Sequence, residues 1–213
     1  MTMQPTAQQL DIFADSRDVV LRNGVFDQLQ RRNGAAARAA LDQLATESPD
    51  DHALSAMTVL VRELEGGSTT PFADHASLAV ARRHLEEEVA PAARRVLPAQ
   101  TVGAWLAPCW SLLAQRAAAL PFRSADHQAN SHSGTQAEIH AVPLWLHAGE
   151  WVAASKAVEG IESWWRIPAP LAWMTEALRD GRTGCRMAVG CRTRMAGTSP
   201  VRDGAVRTGR RVA

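Results

Sequence analysis

Apolar residues recur along this chain at steps of three and four, and nowhere do they alternate with polar ones as a half-buried strand requires. Leu21, Val25 and Leu29 share one face of a first helix, over roughly 16–32, and the Asn33-Gly34 pair is expected to end it. Ala37, Ala40, Leu41, Leu44 and Ala45 mark a second helix. Its successor is expected to open at "SPDD", with Ser48 as cap, Pro49 in the first turn, and Asp50 and Asp51 beside the positive end of the helix dipole. Leu54, Met57, Val61 and Leu64 form the third stripe, and Thr70-Pro71 is expected to open the fourth helix. That helix carries Leu78, Ala81, Leu85, Val89 and Val96, with a kink expected at Pro91. Val102, Trp105, Leu106, Cys109 and Leu113 make a fifth face, with a kink expected at Pro108. Residues 123–136 are polar and aperiodic, the longest loop. Trp151, Ala154, Val158, Ile161 and Trp165 follow at helical steps, and Leu171, Met174 and Leu178 begin a last helix after "IPAP". The pattern predicts an all-α chain of antiparallel helical hairpins.

The pattern stops abruptly at Leu178. Residues 179–213 hold nine arginines and six glycines but no Leu, Ile, Phe or Trp. A segment of that composition lacks the apolar surface to build a core. The chain is therefore read as a helical domain, 1–178, and a basic low-complexity tail, 179–213, expected to be disordered. The tail is either a genuine basic arm for nucleic acid or an acidic partner, or a frameshifted translation of a GC-rich gene. A break inside the Leu171–Leu178 periodicity favours the second reading. Scarcity of lysine, with Lys156 the single one, fits a GC-rich bacterial genome.

Charge divides along the same line. The formal net charge of +1 is the sum of +7 in the tail and −6 in residues 1–178, where 14 basic side chains meet 20 acidic ones. A mildly acidic body repels a phosphate backbone, so nucleic-acid binding is excluded except through the tail. The N-terminus lacks the basic and apolar regions of a secretion signal, and no uncharged run is long enough for a membrane helix. Cytoplasmic localisation is the expectation. Three cysteines, Cys109, Cys185 and Cys191, have neither metal-site nor disulfide-framework spacing.

Two stretches, "NGAAARAALDQLATESPDDHALSAM" and "AGEWVAASKAVEGIESWWRIPAPLAWM", run alike: glycine, amphipathic helix, proline turn, Leu-x-x-Met. Each resembles the back half of a tetratricopeptide repeat. Ala37, Leu41, Leu44 and Pro49 fall at that family's small, large, small and proline positions, and Gly149, Trp151 and Ala154 at its Gly-x-aromatic-x-x-Ala helix start. Leu44 and Ile161 are larger than the family's usual alanine, and the second stretch lacks the expected proline. The resemblance implies a right-handed repeat array; the alternative is an irregular helical bundle.

Candidate chemistry is sparse. His127, His132, His140 and His147 lie within 21 residues, which raises a metal site, but their spacing matches no standard motif and solvated loop histidines account for them. His84 and Glu88 share a helical face at i, i+4, a pairing open to acid–base work. Nothing supplies a nucleophile or an oxyanion site, and a run of glutamates otherwise reads as a solvated face. Cys109, on an apolar stripe, reads as a buried small hydrophobe. No phosphate-binding glycine loop and no cofactor motif is present.

Five of the seven tryptophans fall in 143–174. Periodicity places Trp151 and Trp165 on the packing face. Trp145, Trp164 and Trp173 are left as candidate partner-binding residues, Trp164 and Trp173 because they miss the stripes of their helices. The expected function is a non-catalytic helical scaffold for a protein or peptide. The alternative is a metal-binding protein or enzyme using the 123–147 histidines.

Overall fold

A computed structural model describes the backbone of residues 12–123 and 140–194, with the side chains of 17–123 and 140–181. His127, His132 and the tail from 195 onward lie outside the described residues, as does all of the polar loop except Arg123. The described chain is helical throughout, with no strand. Its helices are α1 (Ile12–Gln30), α2 (Gly34–Glu47), α3 (Leu54–Glu65), α4 (His75–His84), α5 (Ala90–Val96), α6 (Ala99–Ala117), α7 (Ala141–Ala148), α8 (Trp151–Glu159) and α9 (Pro168–Arg194). Most pack chiefly on their neighbours in sequence; α3 also meets α5, α7 meets α9, and α4 packs on α6 rather than on α3. Helical hairpins therefore build the fold, as the pattern predicted.

The stripes point inward. Val25, Leu29, Leu44, Leu60, Val61, Leu78 and Val89 are wholly buried in one continuous core that runs from α1 to Leu144 of α7. A second, smaller core of Val142, Leu146, Ala154, Val158, Met174 and Ala177 joins α7, α8 and α9. Trp145 packs against both.

Helix ends depart from the sequence expectations. Asn33-Gly34 does not close α1. Arg32 takes the left-handed conformation instead (φ 54°), with its N–H on the Leu29 carbonyl and the Asn33 N–H on that of Gln28. Asn33 then caps α2, its side chain accepting from the Ala36 N–H at 3.1 Å. A side chain at positive φ is strained by roughly 1–2 kcal/mol. Arg32 is held there by its tertiary contacts: the guanidinium donates to the Trp105 carbonyl at 2.6 Å and lies 4.9 Å from the centre of the Trp105 ring. The Trp105 indole N–H in turn donates to the Leu29 carbonyl at 2.8 Å, clasping the end of α1 to α6.

Ser48 ends α2 rather than opening α3, and its hydroxyl bonds to Asp18 on α1. Asp51, not Ser48, meets the next helix, accepting from the Ala53 N–H at 2.7 Å while Arg22 of α1 grips its carboxylate. Thr70-Pro71 does not start α4 either. Asp74 caps it, accepting from the Ser77 N–H at 2.7 Å, and the "TTPF" stretch instead lays Phe72 under the Arg116 guanidinium.

At Pro91 the chain stays helical and changes its hydrogen-bond pattern instead. Proline lacks an N–H and its ring crowds the carbonyl four residues back. The chain widens into a π-helical turn over Leu85–Val89, in which the Ala90 N–H reaches the Leu85 carbonyl, and α5 starts with Pro91 in its first turn. α6 continues unbroken through Pro108.

The C-terminal third corrects the sequence reading most. α8 stops at Glu159, and Ser163, at φ 54°, redirects the chain into a short 3-10 turn over Trp164–Arg166. Trp165 therefore leaves the stripe begun by Trp151, Ala154 and Val158, and is 59% exposed. In α9, Met174 faces inward as expected, but Leu171 and Leu178 do not; the inner face is Pro170, Met174 and Ala177. Gly181 extends that face, and a Cβ there would lie 3.2 Å from Cβ of Trp151. α9 also runs through Leu178 to Arg194.

Candidate functional site

Where the long loop leaves α6 and returns at α7, the chain surrounds a cavity of about 630 Å³. Its walls come from three places: Leu120, Pro121 and Phe122 beyond α6, His140 and Ala141 at the start of α7, and Lys156, Gly160, Ile161 and Glu162 around the end of α8. Leu120 is turned inward by its N–H bond to the Ala117 carbonyl, and the bend at Gly160 carries Ile161 back into the core.

His140 is the buried polar group of this wall. It caps α7, its Nδ1 accepting from the Val142 N–H at 3.3 Å, which leaves Nε2 as the protonated nitrogen of a neutral ring. Burial, and secondarily the nearby His75, lowers its pKa to about 4. The ring lies parallel to Trp173, centres 6.0 Å apart, and Phe122 meets both edge-on at 5.6 and 6.0 Å. Phe122 and His140 thus form the aromatic end of the cavity, and Trp173, which does not line it, joins them in a cluster. Lys156 and Glu162, both exposed, supply charge at the other.

The three candidate tryptophans occupy different settings. Trp173 belongs to this cluster. Trp145 is half-buried between the two cores, and Trp164 is half-buried against the second, edge-on to Trp165 at 6.1 Å. The structure therefore does not gather Trp145, Trp164 and Trp173 into one box. Phe122 and Lys156 were missed as site residues. An aromatic directly after Leu-Pro at the edge of a polar stretch was the available signal for the first.

His140 and His147 also separate. His147 is exposed and rests on Trp110, ring centres 5.0 Å apart. Among the described residues no three His, Cys, Asp or Glu side chains converge as a metal site needs.

The His84–Glu88 pair does form, Nδ1 to carboxylate at 3.2 Å, and Nε2 also faces Glu63 of α3 at 3.5 Å. His84 borders a second cavity, about 280 Å³, that Cys109 and Arg116 also line. Burial pushes the Cys109 thiol above its ordinary value, against the opposing pull of Arg32 at 3.5 Å. A thiol held protonated is a poor nucleophile.

No helix among the described residues is long and apolar enough to cross a membrane. Fold and cavity together define an all-α protein of packed helical hairpins with an aromatic-walled cleft. Compared with protein-family models, curated proteins and solved structures, the chain matches none.

Proposed function

We propose that this chain is a non-catalytic helical scaffold that binds a protein or peptide, seating one apolar side chain of its partner in the cleft bounded by Phe122, His140 and Ile161. The observation that supports it is the cleft's make-up: an aromatic wall to receive apolar surface, with Lys156 and Glu162 at the rim to orient a backbone or a charged neighbour. Concave sites with an apolar floor and a few placed polar groups are the usual form of a binding pocket. The tetratricopeptide-like stretches, Asn33–Met57 and Ala148–Met174, agree with this role, since helical-hairpin arrays bind extended partners.

The single lysine supplies the test. An amine-reactive photo-crosslinker attaches only at Lys156, on the cleft rim, and at the N-terminal amine, which serves as internal control. A partner seated in the cleft is captured through Lys156 in preference to the N-terminus, and Phe122→Ala lowers its recovery. Equal capture at both amines, unchanged by Phe122→Ala, rejects the reading.

A further inference from the structure

At the head of α7 the cleft holds donors that nothing described uses. The His140 side chain lines the cavity and is more than nine-tenths buried, at 7% exposure. With Nδ1 accepting from the Val142 N–H, the ring proton sits on Nε2, and no group among the described residues accepts it. The Pro121 carbonyl in the same wall is already held by Nε2 of His75 at 2.9 Å. Among the described residues no fully enclosed side-chain nitrogen lacks a partner, so Nε2 touches open space, and the ring borders the cavity. A buried donor is costly to leave without an acceptor, and a ligand that supplies one recovers the loss.

Ala141, also in the wall and 2% exposed, opens α7. Its N–H is a first-turn donor with no partner inside the helix, and no backbone carbonyl among the described residues takes it. The positive end of the α7 dipole adds to it. Lys156, exposed, brings an ammonium from the far side of the cavity. Together these favour an acceptor that carries negative charge.

The remaining wall narrows the choice of anion. Leu120, Phe122 and Ile161 give the cavity apolar surface, which suits hydrocarbon rather than an inorganic ion. Glu162 at the rim repels a second negative charge, which disfavours dicarboxylates and phosphate esters. At about 630 Å³ the space falls within the range of about 300–1,000 Å³ that takes a whole small organic molecule.

We infer that the cleft binds a free apolar monocarboxylic acid, its carboxylate accepting from Nε2 of His140, the Ala141 N–H and the Lys156 ammonium, its hydrocarbon against Leu120, Phe122 and Ile161. The acid needs no partner protein in order to bind, so it goes beyond the proposed function. Where a partner seats a side chain in the cleft, the two exclude each other.

Phenylbutyrate and octanoate, titrated into the full chain at neutral pH, are the probes, with their primary amides as uncharged controls. Calorimetry gives the affinity and two-dimensional amide NMR gives the place. Both acids are expected to bind and to move the Ala141 amide proton downfield, and the amides to bind about tenfold more weakly. Lys156→Met is expected to weaken the acids about threefold and Lys156→Glu about tenfold, with the amides unchanged and Lys156→Arg like wild type. The position is exposed, and a thermal melt checks that each variant folds. A peptide ending in phenylalanine, offered as free acid and as amide, separates a small molecule from a chain terminus. Four results would overturn the inference: an Ala141 resonance unmoved by either acid at the highest soluble concentration, acids and amides bound equally, acid affinity untouched by Lys156→Glu, or binding of the free-acid peptide alone.

Discussion

Acid is expected to destabilise this protein through the buried ring of His140. His140 is 7% exposed, closed in by Phe122 and Trp173, and its Nδ1 is committed to the Val142 N–H. Its pKa is about 4 in the folded chain against an ordinary 6.5. Above 6.5 the ring is neutral in both folded and unfolded states, and its contribution is whole. As pH falls towards 4 the unfolded chain takes up a proton that the folded chain refuses, so stability falls. Below 4 both states are charged and the contribution is gone. At about 1.4 kcal/mol per pH unit across that interval, the loss is roughly 3 kcal/mol. That is a sizeable part of the ~5–15 kcal/mol that holds a typical domain together.

The assay compares wild type with His140→Asn by urea unfolding, followed by tryptophan fluorescence at a series of pH values spanning the interval. Asparagine keeps a side-chain oxygen at the cap of α7 but has no proton to gain. The advantage of wild type over the variant is expected to shrink by roughly 3 kcal/mol between the top and bottom of the interval. Asp51, Glu65 and Asp74, all with lowered pKa values, lose their contributions at lower pH, and equally in both proteins. Parallel stability curves for the two proteins would refute the reasoning, because a ring that titrates alike in both states contributes no slope.

Two further substitutions test the joints of the fold. Arg22→Met leaves the Asp51 side chain, only 2% exposed, without the guanidinium that grips it at 2.6 Å. The expected loss is about 3 kcal/mol in chemical denaturation, with the Asp51 pKa rising in an NMR titration; an unmoved pKa would show that Ala53 alone holds the carboxylate. Gly149 closes α7 at φ 74°, with its own N–H on the Leu146 carbonyl and that of Glu150 on Trp145. Gly149→Ala is expected to lower stability by about 1 kcal/mol and Gly149→Asn by less, since asparagine tolerates the left-handed region; an alanine variant that melts like wild type contradicts this.

What the sequence made legible follows from what hydrophobic spacing encodes. The stripes of α2, α3 and α6 were correct in register, because burial of Leu41, Met57 and Trp105 is decided by helical period alone. Helix ends were not. Asn33, Ser48 and Thr70 are all residues that favour caps, but which one caps depends on where the preceding helix stops. For α1 that point is set by Arg32 reaching Trp105, 73 residues away. No local pattern contains such a contact. The cleft was illegible for the same reason: Phe122, His140 and Trp173 meet only through tertiary packing, and two of the three lie in stretches with no stripe to place them.

The error in α9 is of a different kind. Leu171 and Leu178 read as core because they are large and apolar at a helical interval, yet the folded helix turns Pro170, Ala177 and Gly181 inward. The small inner residues have a reason: Trp151 on α8 occupies the space, and a Cβ at position 181 would stand a tight 3.2 Å from that of the tryptophan. Once the indole fixes the rotation of α9, its leucines must face out. An apolar stripe is a statement that something buries it, and within one copy nothing among the described residues does. Leu178→Glu is accordingly expected to leave the thermal melt unchanged, while Ala177→Glu, on the buried face, lowers it; equal melts for the two variants would contradict this rotation of α9.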